Sequence, residues 1–85
     1  MRSFAHVIAD PQGLHARSCV MIAREAAKWR SDVKVHLGEH EADGKSMASM
    51  LALKGAYRDQ IVVSCAGPDE VHAAGALEAL MRMSL

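Results

Sequence analysis

The stretch Gly13-Leu14-His15-Ala16-Arg17-Ser18 lies between the first predicted strand and the first predicted helix of this 85-residue chain. It follows Asp10-Pro11-Gln12-Gly13, whose proline and glycine are a strong turn signal. It precedes a segment whose apolar and small side chains recur every three or four residues, the spacing of an amphipathic helix. Extended structure therefore changes to helix here, and the change puts His15 and Arg17 at a helix start.

A histidine and an arginine at the start of a helix are suited to taking up a phosphoryl group. The first backbone N–H groups of a helix have no intrahelical partner, and the peptide dipoles leave partial positive charge at that end. The guanidinium of Arg17 matches phosphate oxygens, and a neutral imidazole is a nucleophile. We interpret His15 as the acceptor of a phosphohistidine carrier, although the spacing alone also fits a polar turn residue followed by an ordinary arginine.

The remaining periodicities predict four strands and two further helices. The strands are expected at residues 3–9, 33–37, 39–43 and 60–66, the third as a short charged edge strand. The helices are expected at 16–30, at 47–53 after the N-cap Ser46, and from Pro68 to about Met83. The helical residues expected to face the core are Cys19, Ile22, Ala23, Ala26, Ala27, Met50, Leu53, Val71, Ala74, Leu77 and either Leu80 or Met81.

The predicted strands differ in how clearly they show a buried face. Val33, Val35 and Leu37 alternate cleanly, whereas both faces of the first strand carry apolar side chains, so its buried face is left open. The element order predicts one α+β domain over residues 1–85, because the connections are too short for parallel crossovers on both faces of a sheet.

The composition excludes some classes of protein. A net charge of zero and a pI near 7.0 argue against a nucleic-acid binder that relies on a broad basic surface. No apolar run is long enough to cross a membrane, and the first residues lack the apolar core of a signal peptide. We therefore expect a soluble cytoplasmic protein whose partners are proteins or small anions.

Two pairs of residues are candidates for a metal or redox site. Cys19 and Cys65 lie far apart without a zinc-like spacing, so we predict free, buried thiols, with a disulfide or a reactive thiol as the alternative. His36 and His40 are four residues apart, a spacing that converges on one metal only in a helix, but His36 lies in a predicted strand. We predict no metal and no cofactor.

The segment Gly13-Leu14-His15-Ala16-Arg17 resembles the active-site motif of HPr, the histidine-containing phosphocarrier protein of the phosphoenolpyruvate-dependent sugar phosphotransferase system. The resemblance continues without a gap at Lys45-Ser46-Met47, at residues 61–66, and at Gly67 with Asp69-Glu70. It implies an HPr-like βαββαβα open-faced sandwich, a four-stranded antiparallel sheet with three helices on one face. The predicted elements have the same order.

The resemblance also implies a relay in which enzyme I phosphorylates His15 through its δ nitrogen, and His15 passes the phosphoryl group to an enzyme IIA domain. Arg17 and the backbone N–H groups of Ala16 and Arg17 are implied to stabilise the phosphate. The residues that match the docking surface for both partners are Val20, Met47, Ala48 and Leu51.

Ser46 matches a position that a kinase phosphorylates in some HPr proteins, with an unmodified N-cap serine as the alternative. We expect no nucleic-acid partner, no membrane insertion and a monomer.

Two residues depart from the HPr pattern. Ser18 stands where the family usually has proline, and Arg58 stands where it commonly has glycine, a costly exchange if that backbone needs a positive φ. Both favour a divergent paralogue, for instance in a regulatory or nitrogen-related branch. Two other functions are weighed: a non-catalytic interaction module of the same fold, against which His15 and Arg17 argue, and an unrelated small ligand-binding domain.

Overall fold

The computed structural model describes residues 1–85 as one antiparallel four-stranded sheet with three helices packed against one of its faces. The four strands lie in the order first, fourth, second, third, so the last strand in sequence occupies a central position. The predicted order of elements and the predicted open-faced sandwich are confirmed. The elements are β1 (Arg2–Val7), α1 (Ala16–Ala26), β2 (Asp32–Leu37), β3 (His40–Asp43), α2 (Met47–Leu51), β4 (Gln60–Ala66) and α3 (Glu70–Ser84).

The central strands bury alternate side chains, as expected of a sheet with one covered face. Val33 and Val35 of β2 are buried, and Val35 pairs in register with the buried Val63 of β4. The covered face of β1, which the sequence left open, carries Phe4 and continues to the buried Ile8, because Phe4 pairs with Val63. These side chains form the sheet half of the core.

The opposite face of the sheet is uncovered. Val7 and Val62 on this face are 52% and 37% exposed. His36 and Ser64 lie on the same face, and the His36 Nε2 is 2.9 Å from the Ser64 hydroxyl. The helices therefore leave this side of the molecule to solvent.

The first helix is shorter than predicted, because it ends at Ala26 rather than Arg30. The next residues form tight turns that side chains stabilise. The Trp29 indole N–H donates to Glu25 (3.3 Å), and the Lys45 ammonium donates to the Trp29 carbonyl (2.9 Å). Carbonyls near a helix end need such partners. Of the predicted core residues of this helix, Cys19, Ile22 and Ala26 are buried, Ala23 is half-buried, and Ala27 is exposed.

The start of the last helix was predicted wrongly. Pro68 precedes the helix, which begins at Glu70 after the N-cap Asp69. Val71 is 52% exposed and does not face the core. Small alanine side chains take its place and let the helix approach the sheet closely. The buried residues of α3 are Ala73, Ala74, Leu77 and Met81.

Four other elements differ from prediction by one or two residues at an end: β1 runs over Arg2–Val7 instead of residues 3–9, β2 begins at Asp32, β3 begins at His40, and α2 stops at Leu51. Met50 of α2 is fully buried as predicted, and Leu53, which lies beyond the end of the helix, is half-buried against the core.

Arg58 stands where the HPr pattern commonly has glycine, and its backbone is left-handed, with φ of 74°. Its N–H donates to the Ile8 carbonyl (2.8 Å), which joins this loop to the end of β1. Its guanidinium lies 5.4 Å from the centre of the Tyr57 ring. A left-handed residue other than glycine costs about 1–2 kcal/mol, so the arginine carries strain that a glycine would avoid.

Asp69 joins the start of α3 to the turn after α1. Its carboxylate accepts hydrogen bonds from the Arg30 N–H (2.9 Å), the Ser31 N–H (3.0 Å) and the Ser31 hydroxyl. The Ser31 hydroxyl, followed by the Arg30 N–H, lowers the pKa of Asp69 from 3.8 to about 2. The charged form is favoured because every one of these donors needs a lone pair.

We expect Asp69→Asn to lower the free energy of unfolding at neutral pH. Because the pKa in the folded state lies below 3.8, the stabilisation is complete above about pH 4 and is lost as the pH falls towards 2. Urea unfolding at several pH values should show the gap between wild type and variant closing across this range. The exposed Asp32→Asn is the control, and a gap that stays constant with pH would contradict the assignment.

Both cysteines are free and buried, as predicted. Burial raises the pKa of both thiols, which disfavours the reactive thiolate. No helix has the length and apolar character needed to cross a bilayer. No group of three or more His, Cys, Asp or Glu side chains is arranged to hold a metal ion.

Candidate functional site

His15 is the N-cap residue of α1, with an extended backbone at φ −125° and ψ 175°. The first helical hydrogen bond of α1 runs from the Cys19 N–H to the His15 carbonyl (3.0 Å). The N–H groups of Ala16 and Arg17 precede that bond, so they are available to an anion. The predicted juxtaposition of an imidazole and a helix start is therefore present.

The loop before His15 is fixed to the loop after α2. Gly13 has φ of 69°, and its N–H donates to the Asp10 carbonyl (2.9 Å) to close the turn. The Leu14 N–H donates to the Gly55 carbonyl (2.8 Å), and the Leu14 side chain is buried. The backbone that leads into His15 is thus held on both sides.

Ser18 closes the helix start although the HPr pattern usually has proline there. Its hydroxyl accepts from the His15 N–H (3.2 Å) and lies 3.1 Å from the His15 carbonyl, to which it donates. The two residues adopt a capping-box arrangement in which the imidazole faces the Ser18 N–H. Serine therefore replaces the fixed geometry of proline with hydrogen bonds.

The His15 ring is held by a carboxylate. Its Nε2 lies 3.0 Å from Oδ2 of Asp10, and the two side chains are 27% and 26% exposed. Asp10 is itself held, because its other oxygen accepts from the Gln12 N–H (2.9 Å). That backbone hydrogen bond and the one to His15 lower the pKa of Asp10, as does the positive charge of Arg17.

This contact determines which ring nitrogen is free. A carboxylate can only accept hydrogen bonds, so Nε2 carries the proton in the contact with Asp10. In a neutral imidazole the lone pair then lies on Nδ1. Since Nε2 faces Asp10, the nitrogen on the side of the Ser18 N–H is Nδ1. The ring nitrogen that carries the lone pair therefore lies beside the amides that open α1.

An open cleft of about 560 Å³ surrounds the ring. Arg17 is exposed at its edge, and the end of α3 contributes Met83 and Ser84. The complete lining is Asp10, Gln12, His15, Arg17, Ser18, Met21, Met83 and Ser84. Such a cleft is wide enough for a phosphoryl group while leaving the ring accessible to another protein.

The four residues predicted to dock partners lie on α1 and α2, which pack against each other. Met47 is 40% exposed and Ala48 is exposed, whereas Val20 and Leu51 are half-buried. Ser46 caps α2 as predicted, because its hydroxyl accepts from the Ser49 N–H (3.2 Å). We refer to Val20, Met47, Ala48 and Leu51 as the α1–α2 patch.

Asp10 is a site residue that was not predicted from the sequence, where it stands only as part of a turn signal. Its position five residues before His15, across a turn closed by Gly13, is the signal that could have found it. The contribution of Met83 and Ser84 had no local signal, because it depends on where α3 ends.

Comparison with known proteins identifies the family. The family model described as the PTS HPr component phosphorylation site matches residues 3–83. The phosphocarrier protein HPr of Mycoplasma genitalium is 35% identical over 82 residues, which cover 95% of this chain and 93% of the relative.

Solved structures of HPr proteins superpose on this chain over nearly its whole length. A Mycoplasma histidine-containing phosphocarrier protein superposes with a TM-score of 0.95 at 28% identity, covering 98% of this chain and 94% of the other. HPr from Thermoanaerobacter tengcongensis gives a TM-score of 0.91 at 27% identity, covering 96% and 92%. These matches span the fold as well as the loop that carries His15. The chain belongs to the HPr family of phosphocarrier proteins of the phosphotransferase system.

Proposed function

We propose that this chain accepts a phosphoryl group on Nδ1 of His15 from phosphorylated enzyme I and passes it to an enzyme IIA component. The observation that carries the proposal is the His15 ring, which turns Nε2 to Asp10 and Nδ1 to the start of α1 in an open cleft. Enzyme I would first be phosphorylated from phosphoenolpyruvate, as the family implies.

In the uptake step, the lone pair of Nδ1 attacks phosphorus while the bond from phosphorus to the donor nitrogen breaks. The donor keeps the electron pair of that bond, and His15 keeps its proton on Nε2. The N–H groups of Ala16 and Arg17, with the Arg17 guanidinium, stabilise the oxygens of the transferred group. In the second step an acceptor histidine attacks the same phosphorus.

The exposure of the ring supports a carrier rather than a self-contained enzyme. A quarter of the His15 side chain is exposed, and Arg17 is exposed beside it, so water reaches the site in the free protein. The partner then completes the site by excluding that water. We propose that donor and acceptor use the same α1–α2 patch in turn, which forbids a ternary complex and suits modest affinity.

The test uses the intact chain with its cognate enzyme I and phosphoenolpyruvate. We expect one phosphate per chain that is labile in acid and stable in base, and its transfer to enzyme IIA when enzyme I has been removed. Wild-type protein that stays unlabelled with its cognate enzyme I would overturn the proposal.

We expect Met47→Asp to raise the KM for transfer from enzyme I about tenfold, a loss of about 1.4 kcal/mol of binding. The reason is that a charge replaces an apolar side chain that is already 40% exposed, so the fold should tolerate it. Initial rates of phosphoryl uptake at several concentrations of the carrier measure the effect.

Val71→Asp is the matched control for Met47→Asp, since Val71 is an apolar residue that is 52% exposed at the other end of α3 from the cleft. If Met47→Asp and Val71→Asp have the same KM, Met47 does not belong to the docking surface.

We further propose that phosphorylation of Ser46 would regulate docking. Ser46 is half-buried beside Met47, and its hydroxyl oxygen caps α2. A phosphate there would put negative charge beside the α1–α2 patch and oppose an acidic partner. Ser46→Asp should weaken transfer from enzyme I, whereas Ser46→Ala should not.

A further inference from the structure

We propose that Asp10 is a positioning residue for phosphoryl uptake: its carboxylate fixes His15 as the Nε2-protonated tautomer and stabilises the ring once it is phosphorylated. The inference rests on the proposed function and adds to it a residue that acts through His15. The geometry points to this role, because Oδ2 of Asp10 lies 3.0 Å from Nε2 across a closed turn.

The first part of the argument concerns the tautomer. A neutral imidazole in water exchanges between two tautomers, and only the one with its proton on Nε2 offers a lone pair at Nδ1. A carboxylate accepts hydrogen bonds and donates none, so it is compatible with that tautomer alone. Carboxylates orient histidines in this way in metal sites and in hydrolytic triads.

The second part concerns charge. When Nδ1 forms its bond to phosphorus and the donor takes the electrons of the broken bond, the ring becomes a cation that still holds its proton on Nε2. The Asp10 carboxylate is then one hydrogen bond away from that cation. Because charge-assisted hydrogen bonds are stronger than neutral ones, the contact strengthens as the reaction proceeds.

The third part concerns how Asp10 is held in place. Its Oδ1 accepts from the Gln12 N–H (2.9 Å), so each carboxylate oxygen has a different partner. The charged side chain beside it in the cleft around His15 is Arg17, whose positive charge favours the ionised carboxylate, a group that can only accept hydrogen bonds.

The test compares wild type with Asp10→Asn. Asparagine has the same shape and can still accept from the Gln12 N–H, so the turn is retained. With its oxygen still on the Gln12 N–H, however, its NH2 group takes the place of Oδ2 and can only donate to Nε2, which favours the tautomer that carries its proton on Nδ1. The matched control is Asp43→Asn, because Asp43 also accepts from a backbone N–H two residues ahead, that of Lys45 (2.9 Å), but holds no histidine.

The first readout needs no partner protein. At about pH 9, where an imidazole is neutral, the ¹⁵N shifts of His15 should indicate a protonated Nε2 and an unprotonated Nδ1 in wild type and in Asp43→Asn. In Asp10→Asn both shifts should move towards each other. A merely structural role for Asp10 would not change the ratio of tautomers.

The second readout is the rate of phosphoryl uptake from enzyme I. We expect Asp10→Asn to be about 10- to 100-fold slower than wild type, with Asp43→Asn unchanged. Wild-type protein that takes up no phosphoryl group would overturn the proposed function. A labelled wild type with an equal rate and an equal tautomer ratio in Asp10→Asn would overturn the role of Asp10 alone.

Discussion

His15→Ala is expected to take up no phosphoryl group from enzyme I. The substitution removes the only ring that combines a free nitrogen with the amides opening α1, and no other side chain in the cleft is a histidine. The fold should persist, because the side chain is partly exposed and an N-cap residue contributes about 1 kcal/mol. Labelling with phosphoenolpyruvate, enzyme I and the variant measures the loss.

The chain offers a matched control for this prediction. His72 is an exposed histidine on α3, outside the lining of the cleft, so His72→Ala should be labelled like wild type. Urea unfolding of both variants separates loss of chemistry from loss of structure. Labelling of His15→Ala would mean that the phosphoryl group is carried elsewhere, and the site described above would then not be the acceptor.

Gly13→Ala is expected to lower the free energy of unfolding by about 2–5 kcal/mol. One part is the left-handed backbone at φ 69°, which costs a residue with a side chain about 1–2 kcal/mol. The other part is contact, because an added Cβ would lie 2.3 Å from the Gly55 carbonyl oxygen and 3.0 Å from the Ala56 Cα. Forcing such neighbours apart costs about 1–3 kcal/mol more.

Gly38→Ala separates these two contributions. Gly38 also has a positive φ, 60°, but nothing lies within 4 Å of the position of an added Cβ. Gly38→Ala should therefore lower the free energy of unfolding by the backbone contribution alone, about 1–2 kcal/mol. Urea unfolding of the two variants measures the difference. Equal losses would show that the approach of Gly13 to Gly55 contributes nothing to stability.

The buried face of β2 could be predicted because it depends on a pattern two residues long. Val33 and Val35 alternate with polar residues, and a sheet covered on one face buries one member of each such pair. β1 carries apolar side chains on both faces, so only its pairing with β4, which sets Phe4 opposite Val63, determines the covered one. Pairing is a contact between distant residues, and no local pattern contains it.

The helix ends were harder to predict for the same reason. Nothing between Ala26 and Arg30 breaks a helix, yet α1 ends at Ala26, and one of the contacts that hold the following turns is distant in sequence: the Lys45 ammonium donates to the Trp29 carbonyl, sixteen residues away. Val71 stands three residues before Ala74 and six before Leu77, and the predicted core face of the last helix includes all three. The helix instead turns alanines towards the sheet, where a smaller side chain allows a closer approach.

The parts of the candidate site that are formed by neighbouring residues in the sequence could be predicted. His15 and Arg17 follow from five consecutive residues, and the capping role of Ser46 follows from its position before a helical run. The family assignment that these residues suggested is confirmed by the match over residues 3–83, and the comparisons do not favour a non-catalytic module. Asp10 could not be recognised in the same way, because its carboxylate reaches His15 only after the turn has closed.

The hydrogen bond from the Leu14 N–H to the Gly55 carbonyl joins the histidine loop directly to the segment that follows α2. Under the proposed function, a protein that docks on α2 would meet the imidazole on a loop that is tied to the end of that helix. The rate of phosphoryl transfer would then depend on the association and dissociation of the partner proteins more than on rearrangement within the carrier itself.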